Sequence, residues 1–187
     1  MATRTFRQMA VLALAGAAFF ISAAPGRAVE LDNFLTGLDE CAFPKKGSPF
    51  AVFAISMLER YGNRPGNPRG YSADRTDVML TVPPDLESAF GPPSTHNYGE
   101  YTQVVVPVDG TFGGLPVSNM QFTFGNRNGI KALLITFAAS HSDVAVVFGD
   151  SIERGDEAGQ DAGFRGDGYS AEIPPGEPGR ISCDWSS

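Results

Sequence analysis

The chain has 187 residues and a formal net charge of −7, with 21 acidic against 14 basic side chains. An acidic surface repels phosphate backbones, which sets nucleic acid aside and makes a basic protein the favoured partner. After the first residues, no apolar run approaches the roughly 20 residues of a membrane-spanning helix, so no membrane contact is expected there.

Arg4 and Arg7 open the chain, residues 9 to 24 are apolar and small, and Gly26-Arg27-Ala28 follows. A positive start, a short apolar stretch and small residues at the end form the pattern of a secretory signal peptide. Residues 1–28 are therefore predicted to be removed, leaving 29–187 as a single domain in the periplasm or outside the cell. The leader takes Arg4, Arg7 and Arg27 with it and no carboxylate, so the remainder is more acidic still. Only Cys41 and Cys183 are present. An even pair in an exported chain predicts a disulfide. A reactive thiolate at Cys41 is disfavoured, because the residue falls at the C-terminal end of a predicted helix.

That helix spans Glu30 to Ala42, with Leu31, Phe34, Leu35, Leu38 and Cys41 on one stripe. Ser48-Pro49 starts a second, whose stripe is Phe50, Phe53, Ala54, Met57, Leu58 and Tyr61, closed by Gly62. Residues 63–73 read as a loop. Val78, Leu80 and Val82 alternate as in a strand, and residues 85–90 suit a helical turn before the polar stretch 94–100. Tyr101 to Val108 is a strand in which Pro107 implies an edge or a bulge, and Asp109-Gly110 is a turn signal.

Met120 to Phe148 then reads as the middle of the sheet. Leu115 to Phe124 and Ile130 to Ala139 are strands about a G-N-R-N-G break, the second central and covered on both faces. Ser140 to Asp143 fits a tight turn, and Val144 to Phe148 another strand. Asp150 to Gly168, rich in glycine and carboxylates, reads as a solvated loop. Tyr169 to Ile173 and Ile181 to Trp185 are short strands, the last returning Cys183 to the first helix. The expected fold is α+β, with two N-terminal helices packed on an antiparallel sheet of about five to seven strands and one disulfide.

Candidate chemistry is sparse. Ser140-His141-Ser142-Asp143 holds the residue types of a hydrolase triad, but neighbours in sequence do not make triad geometry, and no G-x-S-x-G elbow is present. H-E-x-x-H and a phosphate loop are also missing, and no cofactor is expected. Asp156, Glu157, Asp161 and Asp167 are hard oxygen donors and candidate calcium ligands, at spacings that depart from the EF-hand. His96, Asn97, Tyr98 and Tyr101 form an aromatic and polar stretch suited to a protein interface. The same side chains would serve equally as the packed base of an ordinary loop.

The leading expectation is an exported, non-catalytic binding protein, an inhibitor or immunity protein directed at a cell-wall hydrolase or toxin. In profile, though not in motif, it resembles lysozyme inhibitors and periplasmic immunity proteins. Two alternatives fit the same residues: a small secreted hydrolase using His96 or His141, and a carrier of a small apolar ligand between the sheet and helix 48–61.

Overall fold

A computed structural model of the chain describes residues 28–62, 76–126, 128–161 and 168–186. The predicted leader up to residue 27, the predicted loop 63–73 and Asp167 lie outside the described residues. The fold is α+β, with two α-helices and a seven-stranded sheet among the described residues. In chain order the elements are β1 (Val29–Glu30), α1 (Pro49–Tyr61), β2 (Ser94–Asn97), β3 (Tyr101–Phe112), β4 (Leu115–Gly125), β5 (Lys131–Phe137), α2 (His141–Gly159), β6 (Tyr169–Glu172) and β7 (Arg180–Trp185). The sheet runs β1-β3-β4-β5-β7-β6, and β2 also pairs with β3. All ladders are antiparallel except β1 on β3, so the sheet is mixed rather than purely antiparallel.

Side-chain alternation decides which face of the sheet is covered. Val104, Phe122, Leu133 and Cys183 are in register and buried, as are Val106, Met120, Ile135 and Ile181. Both helices pack on this face. Phe53 of α1 meets Phe122 edge-on at 5.7 Å, and Phe148 of α2 lies 5.4 Å from Phe137. The opposite face, where Val105, Gln121, Leu134 and Ser182 align, is only half-buried. β5 is therefore central, as expected, but covered on one face rather than two.

Of the two helices among the described residues, only α1 lies toward the N-terminus. In place of the expected helix over 30–42 the chain makes β1, turns and a single 3-10 turn at Leu38–Glu40. Gly37, at φ 87°, takes a conformation that an α-helix cannot continue. The apolar stripe is nonetheless correctly placed, with Leu31, Phe34, Leu35, Leu38 and Cys41 all buried. α1 forms as expected: the Ser48 hydroxyl accepts from the Ala51 N–H at 3.2 Å, and Pro49 occupies the first turn.

The second helix is α2, over residues expected to be a turn, a strand and a solvated loop. Ser140 is its N-cap in a capping box, with its hydroxyl accepting from Asp143 N–H at 3.1 Å and the Asp143 carboxylate accepting from Ser140 N–H. Val144, Phe148, Ile152, Gly155 and Gly159 then recur at helical spacing and are buried. The β-branched Val-Ala-Val-Val run favours a strand, but that is a weak preference, and a cap with an amphipathic period overrides it.

Other local corrections have equally plain causes. The expected strand over 77–82 does not form: residues 76–78 are turn and bend, 79–82 join no ladder, and Thr81 N–H donates to the Ser56 hydroxyl at 3.0 Å, so the segment lies on α1. Residues 94–97 are strand β2, not loop. Asp109-Gly110 lies inside β3, and the reversal comes at Gly113-Gly114, both at positive φ. Gly110 is small because β1 crosses it, and a Cβ there would fall 2.8 Å from the Val29 carbonyl oxygen. The bulge implied by Pro107 is present, as a register shift between Pro107 and Gly110.

Cys41 and Cys183 form the expected disulfide, with 5.3 Å between their Cα atoms. It ties the irregular N-terminal segment to the middle of β7.

Candidate functional site

Where α1 crosses the end of the sheet, an apolar groove of about 310 Å³ opens beside it. One wall is α1, through Ala51, Ala54, Ile55 and Leu58. The floor is Phe122 and Phe124 of β4, whose rings lie 6.1 Å apart at 17°. The far wall is Trp185 of β7 with Phe43, their rings 5.7 Å apart. Ala51 and Ala54 present only methyl groups here, so the helix stands over the sheet without filling the gap.

The disulfide positions that far wall. The Trp185 indole N–H donates to the Cys41 carbonyl at 2.9 Å, and Cys41 is bonded to Cys183 two residues before Trp185 on β7. Indole, bridge and Phe43 thus hold together. Phe43 and Ile55 leave 59% and 52% of their surfaces exposed, an unusual arrangement for two large apolar side chains beside one opening. Lys46 and Lys131 line the same groove, both exposed, and no carboxylate does among the described residues. The whole chain has only three lysines, and the third, Lys45, adjoins Lys46. Two of the three lysines of an acidic protein therefore line one apolar opening.

The predicted interface residues do come together. Gly99-Glu100 joins β2 to β3 in a tight reversal, with Tyr98 N–H donating to the Tyr101 carbonyl at 2.9 Å. Across it His96 and Tyr98 lie 4.3 Å apart by ring centroid, and Tyr98 stacks on Tyr101 at 4.9 Å. Tyr98 is half-exposed. Asn97 accepts from Gly99 N–H at 2.7 Å and from Asn126 Nδ2 at 3.2 Å. Asn126, fully buried, also accepts from the Thr102 hydroxyl at 3.0 Å and donates to the Gly99 carbonyl at 3.0 Å. It clamps this hairpin to the turn after β4. Asn126 belongs to the G-N-R-N-G break, and the expectation of a simple turn there misses that role.

The histidines are not brought into a catalytic arrangement. Neither imidazole makes a hydrogen bond to a side chain among the described residues. Ser140 and Asp143 are engaged with each other in the cap of α2, and His141 N–H donates to both Glu177 carboxylate oxygens at 3.1 Å. Of the candidate calcium ligands, Asp156 and Glu157 lie on α2, and Asp161 just beyond it. Asp156 already accepts from Ala171 N–H at 3.2 Å and from the Gln160 amide. No group of three or more His, Cys, Asp or Glu side chains placed to hold a metal occurs among the described residues.

Asp156 also acts on Tyr169. Burial, and then the negative charge of Asp156, raise the Tyr169 phenol above its ordinary value. That hydroxyl donates to the Gly155 carbonyl at 2.9 Å, fastening β6 to the end of α2.

A larger hollow of about 490 Å³ lies between residues 32–39 and α2. It is more open and mixes polar with apolar side chains, and its Asp32 is occupied by Gly113 N–H at 2.7 Å. Ligand sites are typically apolar concavities with a few placed polar groups, a description that fits the groove beside α1 and not this hollow.

These features define a two-layer α+β domain with an apolar groove at one end and an aromatic hairpin at the β2–β3 turn. Comparison with protein-family models, curated proteins and solved structures finds no match.

Proposed function

We propose that this is an exported, non-catalytic binding protein that holds a small apolar ligand in the groove between α1 and the sheet. The observation that carries this reading is the groove itself, walled by aromatic and aliphatic side chains that would otherwise leave large apolar surface in water. The disulfide supports export, because such bonds persist in oxidising compartments. No helix among the described residues is long and apolar enough to cross a membrane.

Titration with a neutral environment-sensitive dye such as N-phenyl-1-naphthylamine tests the site. The protein is expected to bind one dye with micromolar affinity. Ile55→Asp, at a half-exposed position on the groove wall, is expected to weaken binding at least about tenfold, equivalent to about 1.4 kcal/mol. Its helical circular dichroism should be unchanged. Equal binding by Ile55→Asp would remove the groove as the site.

The clustered rings of His96, Tyr98 and Tyr101 favour a second reading, an inhibitor or immunity protein that presents this hairpin to a basic cell-wall hydrolase or toxin. Rigid aromatic anchors and an acidic surface suit fast, salt-sensitive association. Capture of such hydrolases at low salt, lost at high salt and in Tyr98→Ala, is the expected result. Retention by Tyr98→Ala would count against the hairpin as the contact.

A further inference from the structure

We infer that the ligand of the groove is a single-chain anionic amphiphile, a medium-length alkyl carboxylate whose head group rests between Lys46 and Lys131. This rests on the groove being a ligand site, and adds the ligand's charge and shape. The size argues for one chain. At about 310 Å³ the groove lies at the small end of ligand pockets, which span roughly 300–1,000 Å³, and so suits one alkyl chain better than a two-chain lipid.

The charge argues for an anion. Among the described residues the groove's lining is apolar except at its lysines and includes no carboxylate. Two of the three lysines of this acidic protein line the one apolar opening, from positions far apart in the sequence. An alkyl tail in the groove leaves its carboxylate at the mouth, within reach of the two exposed, mobile lysine side chains. Hydrogen bonds to charged groups are stronger than neutral ones in such a setting. Lysine, a mobile point charge, can follow the head group as chains of different length seat. A cationic head would meet the same two lysines as repulsion, and a neutral one would leave their charge unanswered.

Trp185, the only tryptophan, lines the groove and reports its occupancy. The test titrates the purified full chain with decanoate, 1-decanol and decyltrimethylammonium, each below its micelle concentration, while following Trp185 emission. Decanoate is expected to bind about tenfold more tightly than decanol at low salt, and decyltrimethylammonium most weakly. Each methylene added between octanoate and decanoate should improve affinity about fourfold, the transfer value of about 0.8 kcal/mol converted to a ratio. The preference for decanoate should shrink as ionic strength rises past about 0.1 M, where screening acts over about 10 Å.

In Lys46→Gln/Lys131→Gln the preference should vanish while decanol binds as before, a result that a merely destabilised protein would not give. Equal binding of decanol and decanoate to the unaltered protein would overturn the anionic head group and leave the groove as a neutral apolar site. Failure of all three to bind would overturn the groove reading and this inference with it. Binding to vesicles of anionic lipid without binding to monomeric decanoate would also overturn it, marking the face as a membrane contact.

Discussion

Reduction of the Cys41–Cys183 bridge is expected to lower the unfolding free energy by about 2–5 kcal/mol. The bridge closes a loop of 142 residues, for which chain entropy alone would predict about 5 kcal/mol. A domain stable by roughly 5–15 kcal/mol would lose a large share of its margin. The local structure explains why little replaces the bond. Residues 31–42 form no regular helix, and their buried side chains are held by turns and by this link to β7. Cys41 itself sits at φ 49°, the only positive φ outside glycine among the described residues.

That conformation is unfavourable for a residue with a Cβ, and it offers an internal control. Cys41→Gly/Cys183→Ala should be more stable than Cys41→Ala/Cys183→Ala by about 0.5–1 kcal/mol, since glycine adopts this backbone without steric penalty. Urea unfolding followed by Trp185 emission measures both, and Trp185 is well placed because its indole donates to the Cys41 carbonyl. Equal midpoints for oxidised and reduced protein would show that the bridge contributes nothing.

Gly155→Ala is expected to destabilise by about 1–3 kcal/mol, although alanine is the better helix former. A Cβ at residue 155 would lie 1.9 Å from the Glu40 carbonyl oxygen and 2.6 Å from its carbonyl carbon, and backbone on both sides cannot yield as a flexible side chain would. The close approach of α2 to the 3-10 turn is therefore set by this glycine. The Arg154–Glu40 ion pair nearby, at 3.3 Å and well exposed, contributes little to it. A methyl group at Gly149, on the same helix, would meet nothing within 4 Å, so Gly149→Ala should stabilise by about 0.5–1 kcal/mol. Two identical substitutions with opposite signs in one thermal-denaturation series would establish the contact, and a stabilising Gly155→Ala would refute it.

The glycines of α2 also show why part of the fold is hard to read from sequence. Gly149, Gly155 and Gly159 with several carboxylates have the composition of a loop. Two of the three are small because something presses on the helix: Glu40 against Gly155, and the Tyr169 ring against Gly159. A partner distant in sequence leaves no trace in a local window. The helix has one legible local signal, the Ser140–Asp143 capping box followed by apolar residues at helical spacing. The β-branched run masks it.

The candidate sites divide in the same way. His96, Asn97, Tyr98 and Tyr101 are close in sequence, and a tight hairpin brings them together, so their association is readable. The groove is not local: it assembles residues from position 43 to position 185. Lys46 and Lys131 face one opening only because the chain returns there through the sheet.

By itself the sequence determined the capped helix α1, the long β3–β4–β5 meander, the inward stripe of Leu31, Phe34, Leu35, Leu38 and Cys41, and the pairing of Cys41 with Cys183. Each follows from side-chain periodicity, a cap or a count of cysteines, all properties of neighbouring residues or of composition. Only the tertiary structure decided that both helices share one sheet face, that α2 exists at all, and that lysines and aromatics meet in a groove. Those outcomes depend on which distant segments approach closely enough to exclude water and one another's Cβ atoms, a condition that local sequence does not encode.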